Sequence, residues 1–250
     1  VYAELPRIDF VTHVEWRERQ VLLKAAFPAA VRTTRATYEI QFGAVERPTH
    51  GNTSWDQEKF EVAGHRWADL SEPGYGVSLL NDGRYGYDAQ GDTLRLSLLR
   101  GPEYPDPEAD LGAHDFVYSL VPHVGAWWEG GTLEQAADLN SPMLAWTGDG
   151  AGGGAVRGTG GARGSFVEVA GPAVLETLKP AEDGQGWILR LYEPAGARGR
   201  VEVTTAWPLE RVEACNHVEE GGAAVACGAA GFSFDISPFQ IRTFRARFAT

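Results

Sequence analysis

The chain has 250 residues, with 34 acidic side chains against 22 basic ones and a formal net charge of −12. So acidic a balance lacks the basic footprint that nucleic acid or an anionic membrane surface requires, and neither is expected as a partner. Hydrophobic residues make up 43% of the sequence, enough for one large β domain or two smaller ones, and no apolar run reaches the roughly 20 residues that span a bilayer.

In chain order, the first ten residues are neither a basic nor an apolar leader, so no signal peptide is read there and a cytoplasmic location is expected. Alternation then places Val21, Leu23, Ala25 and Phe27 on one strand face and Tyr38, Ile40 and Phe42 on the next, with Pro28 and Gly43 as stops. Residues 46–88 differ: Trp55, Trp67, Tyr75, Tyr85 and Tyr87 alternate with charged residues and no long apolar run occurs. That stretch reads as a surface for a polar ligand or another domain, not as core strand. Leu94, Leu96 and Leu98 form a further inward row, followed by Phe116, Tyr118 and Leu120. At residues 132–139 the capping-box spacing of Thr132 and Gln135 predicts a short helix. Glycine crowds residues 149–164, which predicts a linker between a main β region (1–148) and a smaller one (165–250). Strands are then predicted over residues 166–169, 187–192, 201–205, 232–236 and 241–248, with Phe244, Ala246 and Phe248 inward and Arg245 and Arg247 outward. The whole reads as an all-β, antiparallel β-sandwich fold.

Few residues have spacing that points to chemistry. The six histidines (13, 50, 65, 114, 123 and 217) are scattered without metal-ligand spacing and read mostly as surface or interface residues, with His114 the one that merits a test. Cys215 and Cys227 are the only cysteines, too few for a structural zinc site, and reduced thiols are expected. The glycines at 158, 160 and 164 lack the strand and helix of a dinucleotide loop. Asp106, Glu108 and Asp110 form a solvated acidic loop. Arg100 ends the row TLRLSLLR, where a guanidinium could reach from a rigid strand end into a cleft; the plainer alternative is an ion pair with Asp106 or Asp110. Asn81, Asp82, Arg84, Tyr85 and Tyr87 form a turn, read as a tight hairpin whose tyrosines either suit a sugar or cover a sheet edge. Trp127 and Trp128 would be costly to expose together, which suggests a missing partner unless one points inward. With Trp55, Trp67, Tyr85 and Tyr87 they would form the stacking platform of a free-standing carbohydrate-binding module. An oligomerisation module is a third reading, and a homo-oligomer stays open. Lysine occurs only at 24, 59 and 179 amid abundant Arg, Ala and Gly, a coding bias that fits a bacterial source.

Several segments carry a resemblance: VLLKAAFP (21–28), ATYEIQFG (36–43), GVSLLNDGRYGYD (76–88), LRLSLLRGPEYPDPEAD (94–110), LETLKPAEDGQGWILRLYEPAG (175–196) and SPFQIRTFRARF (237–248). The chain resembles the C-terminal region of family 38 glycoside hydrolases, the retaining α-mannosidases, in particular their bacterial and cytosolic-vacuolar branch. The resemblance implies a large supersandwich-type part followed by a small β-sandwich. It implies an α-mannoside substrate, and it places the nucleophile and a divalent metal, zinc, in an N-terminal catalytic domain that would be this chain's partner. No catalytic residue and no metal ligand is then expected here, and the chain alone should be inactive. By position in the family, Arg100 would line the sugar site, with Tyr85, Tyr87 and Asp82 near it. Asn81, Asp106, Asp110 and His114 would support that site or the domain interface.

Overall fold

Alternating apolar and polar side chains bury one face of a pleated strand, and this pattern accounts for most of the chain. The computed structural model describes residues 5–144 and 164–249, and the chain divides into two compact units, Val1–Ala145 and Trp146–Thr250. The predicted linker, 149–164, lies outside the described residues except for Gly164. Both units are antiparallel β structure with little helix, as expected.

In chain order the first unit contains β1 (Ile8–Trp16), β2 (Leu23–Pro28), β3 (Arg35–Ile40), β4 (Gly43–Pro48), the one-turn helix α1 (Ser54–Gln57), β5 (Val62–Ala63), β6 (Trp67–Glu72), β7 (Tyr75–Asn81), β8 (Gly86–Gln90), β9 (Thr93–Leu99), β10 (Gly112–His123) and α2 (Thr132–Asn140). A six-stranded sheet runs β1-β10-β7-β6-β3-β4 and a four-stranded sheet β2-β9-β8-β5. Their inner faces share one core. Ala36, Tyr38, Ala68, Leu70, Leu79 and Phe116 of the larger sheet pack with Tyr87, Leu94, Leu96 and Leu98 of the smaller. Pro73-Gly74 links β6 to β7 with Gly74 at φ +95°, the combination a type II turn favours.

The second unit holds β11 (Val167–Ala170), β12 (Val174–Pro180), β13 (Trp187–Tyr192), β14 (Gly199–Thr205), β15 (Leu209–Cys215), β16 (Ala223–Val225), β17 (Cys227–Gly228), β18 (Gly231–Ile236) and β19 (Ile241–Phe248). Sheets β11-β14-β18-β17 and β12-β13-β19-β15-β16 enclose Leu189, Leu191, Val201, Val203, Phe232, Phe234, Phe244 and Ala246. The loop after β13 is tied by Glu193, which is fully buried. Its carboxylate accepts from the backbone N–H groups of Ala195 (2.9 Å), Gly196 (2.8 Å) and Phe239 (2.9 Å). Cys215 and Cys227 are free thiols.

Five expectations are corrected. Residues 46–88 are not all surface: β6 and β7 lie in the middle of the large sheet, and Trp67, Ala68, Leu70, Leu79 and Leu80 are fully buried. The short runs WADL and SLL suffice because both sheet neighbours are present. Asn81-Asp82-Gly83 is not a hairpin, since β7 and β8 belong to different sheets; it is a corner. Thr132 does not cap α2. Gly131 at φ +79° occupies the N-cap, and the Thr132 hydroxyl lies 2.7 Å from Ser78 Oγ. The capping box of the first unit belongs instead to Thr53 and Asp56 on α1. Ile40 leaves the Tyr38 row: it is the last residue of β3 and is exposed, and Phe42 lies beyond the strand, in the β3–β4 turn at φ +55°. His123 is not at the surface. Its Nε2 lies 2.8 Å from Asp69 Oδ2, and Ser78 Oγ donates to the same oxygen at 2.7 Å. Ser71 Oγ donates to Asp69 Oδ1, so one buried carboxylate joins β6, β7, β10 and, through Thr132, α2.

Candidate functional site

Strand alternation sends Lys24, Asp88 and Arg95 to the outer face of the four-stranded sheet, where Asp88 and Arg95 are register partners. Arg95 Nη1 reaches Asp88 Oδ1 at 3.1 Å, Lys24 Nζ bonds Asp88 Oδ2, and Lys24 also reaches Glu61 at 2.9 Å. Glu61 further accepts from Ser97 Oγ. Above this network lies a cleft of about 680 Å³ with Tyr38, Arg47, Lys59 and Phe60 among its lining residues. Arg47 stacks on the Tyr38 ring at 4.7 Å, and burial pushes the Tyr38 phenol up to about 12. A second cleft of about 440 Å³ adjoins it, sharing Leu22 and Glu61 and holding Arg100, Glu103 and Tyr104.

The backbone of Arg100 is fixed while its head is not. Asp110 Oδ2 accepts from the N–H groups of Arg100 (2.9 Å) and Gly101 (2.8 Å), and His114 Nε2 donates to the Asp110 carbonyl at 2.8 Å. Gly101 sits at φ +58°, and a Cβ there would meet the Glu18 carbonyl. The ion pair of Arg100 with Asp106 or Asp110 is therefore not formed. Asp110 serves backbone N–H groups, and Asp106 Oδ1 accepts from Glu108 N. No hydrogen bond or ion pair of the Arg100 guanidinium is found among the described residues, and the residue is exposed.

Burial alone would raise the Asp110 carboxyl, but the two N–H groups, with His114 and Arg84 nearby, hold it below its ordinary value. A depressed carboxyl contributes stability above the unfolded value, and that contribution is lost as pH falls through the folded one. The amide proton shifts of Arg100 and Gly101 should therefore titrate together with a midpoint below the ordinary 3.8. A common midpoint at or above that value would show that Asp110 does not hold this strand end.

The Asn81–Tyr87 segment divides by role. Asn81 is buried: its Oδ1 accepts from Gly83 N (2.8 Å) and Arg84 N (2.6 Å), and its Nδ2 donates to the His65 carbonyl and the Tyr87 hydroxyl. Asp82 Oδ2 takes the Val117 N–H at 2.8 Å, which ties the corner to β10. Tyr87 is fully buried, with its phenol held above its ordinary value chiefly by burial, so it is a core residue and not a sugar platform. Tyr85 is 53% exposed and lies beside His65. The wider stacking platform fails in the same way, because Trp67 and Trp127 are buried against each other at 4.5 Å. Of the adjacent indoles, Trp127 points inward and Trp128 outward.

The Lys24–Glu61–Asp88–Arg95 network was missed from sequence, although the period-two rule that places Leu94 and Leu96 inward also places Arg95 outward. Buried His123 carried no such signal. Among the described residues no group of three or more His, Cys, Asp or Glu could hold a metal ion, and no helix is long and apolar enough to cross a membrane.

Comparisons with known proteins agree in outline. The family description "Glycosyl hydrolases family 38 C-terminal domain" matches residues 1–108, and "Glycosyl hydrolases family 38 C-terminal beta sandwich domain" matches residues 172–244. Alpha-mannosidase 2C1 of Mus musculus is 41% identical over 246 residues, which is 95% of this chain and 23% of the relative. Alpha-mannosidase G of Dictyostelium discoideum is 38% identical over 250 residues, 98% of this chain and 22% of that protein. The chain thus spans about a quarter of the length of these curated relatives. A crystal structure of an alpha-mannosidase from Enterococcus faecalis V583 shares the fold, with a TM-score of 0.77 at 21% identity over 97% of this chain and 27% of that one.

Proposed function

The chain belongs to the C-terminal region of glycosyl hydrolase family 38, and from that premise we propose that it is the β-sandwich portion of a retaining α-mannosidase. The residues beyond the matched quarter would supply the nucleophile and a divalent metal ion, zinc. We assign residues 1–148 to the main sandwich and 165–250 to the small one, and the location to the cytoplasm of a bacterial cell, where two free thiols stay reduced.

The observation that carries the reading is Arg100: a rigid strand end, an immobilised backbone and a guanidinium that lines a cleft beside Glu61 with no hydrogen bond or ion pair among the described residues. A planar fork of N–H donors suits vicinal sugar hydroxyls. Retaining hydrolysis needs two carboxyl groups about 5 Å apart and free to react. Asp106 and Asp110 are instead spent on their own loop, so this chain binds and positions while the chemistry lies elsewhere. Tyr85, exposed beside His65, is assigned a lesser sugar contact.

The test is hydrolysis of a chromogenic α-mannoside with zinc by this chain alone and by the polypeptide that also carries the upstream domain. The short chain should be inert and the long one active. In the long form Arg100→Ala should lower kcat/KM at least about 30-fold, roughly 2 kcal/mol of transition-state stabilisation. Arg100→Lys should restore little of it, because an ammonium lacks the fork. Turnover by the short chain, or an Arg100→Ala enzyme at wild-type rate, would overturn the assignment.

A further inference from the structure

Two carboxylates line the Arg100 cleft, Glu61 and Glu103, and the protein uses them unequally. Both oxygens of Glu103 are engaged, one by the Gln20 amide and the other by Arg19 at 3.5 Å. Glu61, the residue before β5, is held by one oxygen only. Its Oε1 accepts from Ser97 Oγ on β9 and from Lys24 Nζ on β2 at 2.9 Å, and Lys24 is fixed in turn by Asp88. For Glu61 Oε2 no hydrogen bond or ion pair is found among the described residues.

An anchor at one oxygen holds the carboxylate still and leaves the other as an acceptor. Burial alone would raise the Glu61 carboxyl, but Ser97, Lys24 and the nearby charge of Arg100 hold it below its ordinary value, so it stays an anion. It is close enough to feel Arg100, yet the two form no ion pair. The two charges left open beside this cleft are therefore of opposite sign, and each is fixed at its base. Leu22 and Tyr104 line the same cleft, 43% and 90% exposed.

That combination selects among ligands. Glu61 repels an anion and Arg100 a cation. A neutral sugar satisfies both at once, because each of its hydroxyls can donate to a carboxylate oxygen and accept from a guanidinium. The apolar face of its ring suits Leu22 and Tyr104.

We propose that Glu61 is a second sugar-binding residue of this cleft, whose Oε2 accepts from a hydroxyl of the sugar that Arg100 holds. The inference rests on the function proposed above and adds to the arginine's donors an acceptor of opposite charge.

The test uses the longer polypeptide and a series of aryl α-mannosides, each lacking a different ring hydroxyl. A site built to bond a hydroxyl rejects the analogue without it. Glu61→Ala should lower kcat/KM for the complete mannoside at least about tenfold, the scale of a charge-assisted hydrogen bond. For one deoxy substrate the same variant should change the rate less than about twofold, because the bond is already gone. Glu61→Gln, which keeps an oxygen for Ser97 and so the local fold, should lose nearly as much as Ala, since an amide nitrogen then replaces Oε2. A loss shared equally by every deoxy substrate would make Glu61 a structural support, and a Glu61→Ala enzyme at parent rate would leave it merely solvated; either overturns the inference. If Glu61→Ala behaves as expected and Arg100→Ala does not, the arginine's role fails and this one stands. If the longer polypeptide turns over no α-mannoside, both fall.

Discussion

Replacing Asp69 by alanine is expected to destabilise the first unit by about 3 kcal/mol or more, the scale for stripping a buried polar cluster of its shared carboxylate. The side chain is 1% exposed and accepts from Ser71, Ser78 and His123. Ser78 and His123 are themselves buried, and only Ser71 is half-exposed. The His123 ring is hemmed in by Gly76 and Gly130, at each of which a Cβ would overlap it. Asp69→Asn should cost far less, about 1 kcal/mol, because the serine hydroxyls can turn to accept from the new amide. Hydrogen exchange on residues 67–81 reads the effect apart from the second unit. Equal losses for Ala and Asn, or a loss under about 1 kcal/mol for Ala, would show that packing and not the carboxylate holds these elements.

Glu193 should behave differently, and the contrast tests the same physics. Its two oxygens face only backbone N–H groups, those of Ala195, Gly196 and Phe239. Such groups cannot reverse their polarity. Glu193→Gln would set an amide donor against them, so Gln should destabilise nearly as much as Ala, each by about 3 kcal/mol from stranded buried donors. Exchange of residues 187–203 against urea gives the measurement. A Glu193→Gln protein as stable as the parent would mean that the loop relaxes to let water in. The loop has little freedom to do so: Phe239 is held at φ +54° and Gly196 at φ +80°, and a Cβ on Gly196 would press the Phe239 ring at 3.3 Å.

Legibility followed the pattern of burial. Rows such as Leu94-Leu96-Leu98 and the Phe244-Ala246 pair declare a strand because only one face is buried. Strand β6 was illegible for the opposite reason: in WADL all four residues are buried, so no alternation remains. Its Asp looks like surface until its three donors, from β6, β7 and β10, are in place. For the candidate site, Arg100 was readable as the end of a long alternating row. The role of Asp110 was only half readable, since a carboxylate ten residues on suggests a guanidinium and the fold gives it backbone N–H groups. Tyr87 misled because Tyr85 and Tyr87 look alike in sequence, whereas the start of β8 between them turns one ring to solvent and the other to the core.

Among the described residues strand β1 pairs only with β10, Ile8 opposite Leu120 and Trp16 opposite Gly112, with Phe10 stacked on Tyr118 at 5.0 Å. During synthesis, therefore, the first described strand of this unit stays unpaired until its partner strand, which begins at Gly112, has left the ribosome. Once β7 has been made, its β10-facing edge is bare as well until β10 follows. Contacts so distant in sequence form slowly, and unpaired edges are where nascent β chains aggregate. Chaperone demand during translation should therefore centre on this sheet. Substitutions that weaken the β1–β10 pairing should lower soluble yield more than they lower the melting temperature of the protein that does mature.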